Sequence, residues 1–482
     1  MLHYDVVIIG GGVAGSAIAR ELARQRLRIA VLEKNLDVCN ETSGRNSGVV
    51  HGGFAYDTGT LKARLCVEGN RGMQALSEEL GFDFRRCGKV LVGQTEEDLA
   101  QLRRTMAQGF ANGASGLRLV DEAELHALVP TAVGKFAMFS ENSGIVDPFQ
   151  YTIALAENAA ENGVTYLFDH EVTAIRREGE SWIVTAHQRE YTARWVINAA
   201  GLGCGQISEM LGIHGYRVIG SKGDYIILDR RTGQWLPMPI YPVPSNTYMG
   251  IHVTNTTDGN VIVGPNAVAV EDFEDYSVSQ ENIDFLAESA SRIWPYIRRA
   301  DYIRNYSGIL PKWVDDRGVI QDFKIEIRPE LAPKAVNLVG IESPGLTAAV
   351  PIARHVVRLM EEYEHFEENP AFDPRRKHRY PRFDALSDEE RARLIREDPE
   401  WGELICRCER VSKAEIRQAI RNPLQVHTLT GIKYRTRAMM GRCQGGYCQM
   451  RMVQMIEEAW PEEPSVVYER KHSELFTGPV RS

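Results

Sequence analysis

Val6-Val7-Ile8-Ile9-Gly10-Gly11-Gly12-Val13-Ala14-Gly15, with a second apolar run Arg28-Ile29-Ala30-Val31-Leu32 ending at Glu33, decides the fold. The β-branched run is the pattern of a strand buried in a parallel sheet. The glycines that follow match G-x-G-x-x-G, and the spacing predicts a helix from about Val13 to Arg24. Gly10 permits the tight turn, Gly12 lets the backbone approach a pyrophosphate, and Gly15 lets the helix pack against the strand. The helix start offers free N–H groups and partial positive charge to phosphates. Glu33 stands where an acid accepts a hydrogen bond from a ribose 2′-OH. Strand, turn, helix, second strand and acid together predict a dinucleotide-binding α/β fold. The motif alone leaves FAD and NAD both open.

Outward from this core, Cys39 to Gly53 is rich in Ser, Thr, Asn and Gly and reads as a loop with small side chains, where a ligand approaches the backbone. Helices are expected over Leu61–Leu80, about Thr95–Asn112 and Asp147–Asn162, the last before a strand Thr165–Phe168. Trp195 to Asn198 reads as a strand running into a glycine turn and a helix. Residues 216 to 330 change character. Tyr225 to Leu228 is a strand, and Tyr248–Val253 and Val261–Val263 flank Asp258-Gly259, a hairpin signal. This region reads as largely antiparallel. Val336 to Gly340 then leads through Ser343-Pro344-Gly345 into a helix Leu346–Glu361, the chain's return to the first domain.

The expected architecture is α/β: a Rossmann-like FAD- or NAD-binding domain interleaved with an antiparallel β substrate domain, plus a small helical domain at the C-terminus. The boundaries read as 1–90, 145–215 and 331–365 for the dinucleotide domain and 91–144 and 216–330 for the substrate domain. A charged, Pro-interrupted surface linker spans 366–400, the C-terminal domain 401–465, and a tail 466–482. Ser387-Asp388-Glu389-Glu390 and Ser412-Lys413-Ala414-Glu415 are capping boxes, each opening a helix.

The chain has 482 residues, 43% of them hydrophobic, which suits about three domains of a globular protein. Fifty-six Lys plus Arg against 65 Asp plus Glu give a net charge of -9, so general attraction to nucleic acid is not expected. The longest weakly polar run, Val6 to Ala19, is shorter than the ~18 residues a membrane span needs. No signal peptide is read at Met1 to Asp5, and a cytoplasmic location is expected. The eight cysteines then read as reduced thiols or metal ligands.

Four of those cysteines lie near the C-terminus. Cys406 and Cys408 form C-x-C, and Cys443 and Cys448 form C-x4-C around Gln444-Gly445-Gly446-Tyr447. Thiolates on loops beside helix starts make a metal cage in which N–H groups stabilise negative sulfur. Lys433, Arg435, Arg437 and Arg442 are near in sequence and are expected to offset the charge of an anionic cluster. C-x-C is a poor match to structural zinc, and the run also differs from plant-type ferredoxin, so iron–sulfur leads and zinc remains the rival. Cys39, Cys66, Cys87 and Cys204 are scattered and read as packed side chains.

Two resemblances meet in this chain. The N-terminal ~365 residues resemble the FAD-dependent D-amino-acid-oxidase-like superfamily, especially its L-2-hydroxyglutarate oxidase and anaerobic glycerol-3-phosphate dehydrogenase large-subunit branches. They are carried by Gly10 to Gly15 with Glu33, Asn46-Ser47-Gly48-Val49-Val50-His51-Gly52-Gly53, Gly59 to Cys66, Gly250 to Val253 with Gly264 to Ala267, and Gly340 to Thr347. The last ~80 residues look like the bacterioferritin-associated-ferredoxin type of [2Fe-2S] domain, through Cys406-Arg407-Cys408-Glu409-Arg410 and Arg437 to Cys448. The resemblance implies FAD and a [2Fe-2S] cluster held by Cys406, Cys408, Cys443 and Cys448. FAD contacts are implied at Gly10, Gly12, Val13, Ala14, Gly15, Glu33, Lys34, Ser43, Asn46, Ser47, Gly48, Val49 and His51. Further along the chain they are implied at Val172, Ala200, Gly201, Gly308, Gly345, Leu346 and Thr347.

The same resemblance implies oxidation of a small hydroxy compound, glycerol 3-phosphate first and a 2-hydroxy acid second, with hydride passing to the flavin while a base takes the hydroxyl proton. His51 and His252 are the candidate bases, because an imidazole accepts a proton near neutrality. Tyr56 and Lys312 are candidates to orient substrate. The loop Ser343 to Thr347 and its helix start are suited to negative charge on reduced flavin. The chain departs in two places: Ala55 stands where the glycerol-3-phosphate dehydrogenases carry an arginine, and Leu310 where both branches do, and arginine is the natural fork for carboxylate or phosphate. Lys312, Arg304 or His252 is left to supply that charge. An amino-acid or amine dehydrogenase and a non-catalytic electron-transfer subunit are the rival functions. The cluster implies an electron-acceptor protein or quinone-linked subunit, a hetero-oligomeric complex, and attachment to the inner membrane face only through such a partner.

Overall fold

The computed structural model describes residues 2–244, 250–462, 466–470 and 472–475. Leu2–Ile9 lies at the centre of an eight-stranded sheet. It runs parallel to Ile29–Leu32 on one side and to Arg189–Asn198 on the other, with Val6 opposite both Ile29 and Trp195. Thr165–Leu167 extends the parallel set beyond Ile29–Leu32, and Ala335–Val339 extends it beyond Arg189–Asn198. A hairpin, Val172–Glu178 with Ser181–Ala186, and the strand Lys324–Ile327 add antiparallel members.

Strand periodicity explains the burial. Val6, Ile8, Ile29, Val31, Trp195 and Ile197 point into one core, and Val7, Ile9, Ala30, Leu32 and Val196 point into another. The first core is covered by Val13–Leu22, Leu61–Leu80, Pro148–Glu161 and Gly345–Glu361. Both faces of the central strands are dry, which is why they read as continuous apolar runs rather than as alternation.

Caps end the helices where the sequence marks them. The Thr60 side chain accepts from the Ala63 N–H, and Gly81 at φ 67° closes the same helix at Leu80. Asp147 caps Pro148–Glu161, with proline in the first turn. Thr95, Ser387 and Ser412 all close capping boxes.

The second sheet has nine strands among the described residues, drawn from two parts of the chain. Lys89–Gly93, Leu117–Asp121 and Phe136–Ser140 join Arg217–Leu228, Ile240–Pro242, His252–Asn255, Val261–Gly264, Val268–Val270 and Tyr302–Val314. All its pairings are antiparallel except Ile240–Pro242 beside Lys89–Gly93. That pairing is what welds the two sequence segments into one sheet. The chain is back in the first sheet at Lys324. Of the expected strand Tyr248–Val253, Tyr248 and Met249 lie outside the described residues, and the strand runs His252–Asn255.

The connector after residue 361 differs from a loose surface strand. Phe366 is in the first core, and Phe372 lies under the Arg24 guanidinium, 4.5 Å from its carbon. Arg20 donates to the Pro374 carbonyl, Arg376 pairs with Glu157, and the Lys377 and His378 N–H groups donate to Glu161. Arg382 pairs with Asp83 at 2.8 Å and with Asp258 at 2.7 Å. The segment is a belt buckled across both halves of the molecule. Beyond it, a short hairpin, Leu404–Cys406 with Val411–Ser412, and the helices Lys413–Ile420, Leu429–Thr436 and Gln449–Ala459 enclose their own core.

Candidate flavin, substrate and cluster sites

The ends of the central strands converge on one crevice. Gly10 sits at φ 104°, and a Cβ there would stand 2.5 Å from the Ala199 carbonyl oxygen; a Cβ on Gly15 would stand 2.0 Å from that of Gly10. Only glycine lets the two strand ends and the helix close in this way. The helix Val13–Leu22 has no side-chain cap and no acid in its first turn. The Val13 N–H donates to the Ser43 hydroxyl at 2.9 Å, which brings the loop Cys39 to Gly53 onto the helix start. The Glu33 carboxylate accepts from the Gly11 N–H at 2.7 Å and the Asn35 N–H at 2.8 Å. It is buried, and desolvation raises its pKa. Glu33 beside Gly11, and Ser43 beside Gly12 and Val13, set an acid and a helix start next to each other, which fits the ribose and pyrophosphate of a dinucleotide. Lys34 is turned outward, to Glu274 at 3.1 Å.

Further along the crevice, the Asn198–Gly201 turn follows the strand Arg189–Asn198, and Gly308 comes against the Arg45 backbone. Val172 stands at the start of the edge hairpin, in the other core. Gly345–Glu361 begins without a side-chain cap, and the Thr347 hydroxyl accepts from the His51 N–H at 3.1 Å. A second uncapped helix start thus faces the loop that carries Ser47, Gly48, Val49 and His51.

Around His51 lies a buried group of side chains, with Lys89 and His252 contributed by the second sheet; we call this group the chamber. The Tyr56 hydroxyl and the Ser343 hydroxyl are 3.2 Å apart, and the Tyr56 ring meets His51 edge-on at 6.3 Å. His252 hydrogen-bonds through Nδ1 with the Gly250 carbonyl at 3.3 Å, while its buried Nε2 has no partner among the described residues. Tyr241 stacks on its ring. Lys89 stands in the middle. It is 0% exposed, its ammonium has no hydrogen-bond partner among the described residues, and it lies 4.7 Å from the centre of Phe54 and 4.3 Å from that of Tyr241. Burial pushes its pKa down to about 7. Burial first, then the Lys89 charge, hold His51 well below the usual imidazole range; burial and Lys89 hold His252 at about 3, partly offset by the Gly250 carbonyl. Both imidazoles are therefore neutral at neutral pH, with a lone pair available. Burial keeps the Tyr56 phenol protonated.

Lys89 was not singled out from the sequence. At the head of Lys89-Val90-Leu91-Val92-Gly93 it reads as the polar end of a strand. Its signal is that the four residues after it are all buried, so that the lysine begins the strand indoors. The three groups considered for the missing arginines fare differently. Lys312 is tied to Glu342 at 2.7 Å, and Lys62 takes the other oxygen of that carboxylate at 2.8 Å. Arg304 lies at a different cavity. His252 is neutral and stacked.

The C-terminal cysteines converge in two pairs. The Cys408 and Cys443 sulfurs are 3.4 Å apart, and Cys406 hydrogen-bonds with Cys448. The N–H groups of Met439 and Glu409 point at the Cys406 sulfur, and those of Gly445 and Tyr447 at that of Cys443. A Cβ on Gly441 would stand 2.4 Å from that of Cys408, so glycine is needed for the two loops to meet. Four thiols with converging N–H donors suit an anionic iron–sulfur group. Among the described residues no three His, Cys, Asp or Glu side chains gather about one ion position.

The basic residues expected to offset cluster charge do something else. Arg435 is buried and forks onto Asp37 at 2.6 Å, with Glu157 at 3.3 Å. Arg437 pairs with Asp258 at 2.6 Å and Glu409 at 3.0 Å. These two arginines clamp the C-terminal domain to the first and second sheets, and Tyr434 stacks on Phe149 of the first domain at 3.9 Å. Lys433 lines an interdomain cavity. Arg442 reaches Asp229 on the surface.

This architecture is that of a flavin oxidoreductase joined to a cluster-binding module. Residues 5–359 match the family of FAD dependent oxidoreductases called DAO, and residues 404–458 match the BFD-like [2Fe-2S] binding domain. The chain belongs to that FAD-dependent oxidoreductase family, and its cofactors are FAD and a [2Fe-2S] cluster. Among its relatives, a glycerol 3-phosphate dehydrogenase of Caloramator mitchellensis is 33% identical over 483 residues, 99% of each chain. An L-2-hydroxyglutarate dehydrogenase of Escherichia coli is 30% identical over 404 residues, 76% of this chain and 95% of that one. The FAD-bound L-alpha-glycerophosphate oxidase of Mycoplasma pneumoniae superposes with a TM-score of 0.73 at 26% identity, over 78% of this chain and 98% of that one. NAD and zinc, both open on the motifs alone, are set aside. No helix among the described residues is long and apolar enough to cross a membrane.

Proposed function

We propose that the protein is a dehydrogenase that oxidises the hydroxyl-bearing carbon of a small anionic substrate, glycerol 3-phosphate first, and passes the electrons through its cluster to a partner. The observation that carries this reading is Lys89. An ammonium buried without a counter-ion is costly, and a bound phosphate or carboxylate supplies the missing charge. Bound FAD supplies the hydride acceptor. Lys89 fixes the anionic end of the substrate. His51 or His252, neutral beside it, takes the hydroxyl proton. The Tyr56 hydroxyl, held by Ser343, donates a hydrogen bond to the substrate oxygen, which stays on carbon as the product carbonyl. The uncapped helix start at Gly345 to Thr347 would favour negative charge on a bound flavin.

A single lysine binds as a point charge and lacks the geometric selectivity of an arginine fork. That favours one second reading, a 2-hydroxy acid bound through its carboxylate. On the outer side, Cys408 and Cys443 are exposed among Arg407, Arg410, Arg442 and Arg451, with Tyr447 and Met450 also exposed. This basic and apolar rim supports docking of an acidic electron acceptor there. Anaerobic addition of glycerol 3-phosphate, L-2-hydroxyglutarate and a set of amino acids, followed at the flavin band, tests the reading. Bleaching by glycerol 3-phosphate at the lowest concentration is expected. Bleaching by amino acids alone would overturn the function.

A further inference from the structure

A cavity of about 150 Å³ lies where the three parts of the chain meet, well apart in sequence from the chamber around Lys89. The loop Gly44–Gly48 and the helix start at Pro148-Phe149 form one wall, the turn at Thr256-Thr257 with Arg304 a second, and Thr430, Lys433 and Tyr434 a third. The space admits several waters or a small anion.

Its walls hold polar groups that the protein itself leaves unanswered. Lys433 is 6% exposed, and its ammonium makes no hydrogen bond or ion pair among the described residues. Arg304, solvent-exposed at the mouth of the cavity, stands near it and forms no ion pair among the described residues. The lining carboxylates Asp258 and Asp147 are taken up, the first by Arg382 and Arg437 and the second as the cap of Pro148–Glu161. The acid nearest in effect, Glu469, is already bound to Arg45 at 3.2 Å. The Thr430 hydroxyl, on a residue 2% exposed, and the buried Thr257 hydroxyl both lack a partner among the described residues. One buried cation, one solvent-facing cation and two buried hydroxyls without partners among the described residues, arriving from two different domains, suit an oxyanion. Polar groups buried without partners are costly, and an anion would give Lys433 and both hydroxyls their bonds.

We propose that this cavity binds a phosphate-type dianion, as inorganic phosphate or as the phosphoryl group of a small ester, held by Lys433 and Arg304 and by the hydroxyls of Thr257 and Thr430. The occupant bridges the C-terminal domain to both others. It touches the loop whose Ser43 meets the dinucleotide crevice, and it lies beside Met440 and Gln444 of the segment that carries Cys443.

The test is isothermal titration of the FAD- and cluster-loaded protein with inorganic phosphate and, separately, with methyl phosphate. Saturable binding of at least one is expected, weakened at least tenfold by Lys433→Met and several-fold by Thr430→Val, which removes a hydroxyl with little change in volume. The tighter of the two probes identifies the source. In a Lys89→Met background, which removes any phosphate held by Lys89, the binding that depends on Lys433 and Thr430 should persist, and this separates the two sites. Absence of saturable binding to the wild-type protein, or equal binding by wild type and by flavin-loaded Lys433→Met and Thr430→Val, would overturn the proposal.

Discussion

The ring of Tyr241 lies flat on the imidazole of His252, centroids 3.9 Å apart and planes within 8°, and the Lys89 ammonium sits 4.3 Å from the centre of that same phenol. A cation, a π face and a neutral imidazole are thus gathered in one buried group. Each constrains the others: the lysine charge disfavours a proton on His252, and the ring partly compensates the lysine for lost water. The chamber is therefore set to hold one negative charge and one lone pair at once.

Replacing Lys89 should weaken capture of the anion. Lys89→Met is expected to lower kcat/KM for glycerol 3-phosphate by roughly a hundredfold, about 2.7 kcal/mol, with most of it in KM. The pH profile gives the sharper check. With a folded-state pKa of about 7, Lys89 is charged below that pH and neutral above it. Wild-type kcat/KM should fall as pH rises through about 7, and this alkaline limb should vanish in the variant. A limb unchanged in Lys89→Met would remove the lysine from substrate binding.

Glu33 should govern retention of FAD. Glu33→Ala deletes the acceptor for the Gly11 and Asn35 N–H groups as well as the carboxylate offered to the ribose. About a tenfold loss of FAD affinity is expected, which corresponds to one charge-assisted hydrogen bond. The ratio of flavin to protein absorbance after gel filtration measures it.

Arg435 should hold the C-terminal domain in place. Arg435→Met leaves Asp37 buried without its cation and Glu157 with Arg376 alone, a change that costs about 3–5 kcal/mol. Lower thermal stability and faster protease cleavage around residues 386–400 are expected, with the flavin spectrum retained. Cleavage at the wild-type rate would mean that the clamp is carried elsewhere.

Cys408 should separate the two redox functions. Cys408→Ser is expected to abolish the electron paramagnetic resonance signal of the reduced cluster while flavin bleaching by substrate continues. Transfer to a one-electron acceptor should drop steeply. If both steps survived, the cysteine would not be a ligand.

Much of this was legible in the residues. The first strand, the glycine turn and Glu33 follow from local pattern, and Leu61–Leu80 is bounded at the residues expected, because Thr60 and Gly81 cap it through local geometry alone. The paired cysteines are legible for the same reason: spacing is a one-dimensional signal. What was hidden depends on long-range meetings. Leu429–Thr436 carries Gly431 and Thr430 in its first turn, poor helix formers, and is held by packing. Arg435 reads as a counter-charge for the cluster until Asp37, nearly four hundred residues earlier, is placed beside it. Lys89 is ordinary in sequence and becomes singular only when a roof closes over it.

The belt of residues 366–386 bears on how the two redox centres cooperate. Arginine after arginine fastens it, from the Arg20 contact at Pro374 to the double grip of Arg382 on Asp83 and Asp258. A carrier domain on a free tether must swing between donor and acceptor, and its throughput is set by that travel. Here the tether is itself bolted down, so the inorganic centre is stationary with respect to the organic one. Whatever collects its electrons has to come to the molecule.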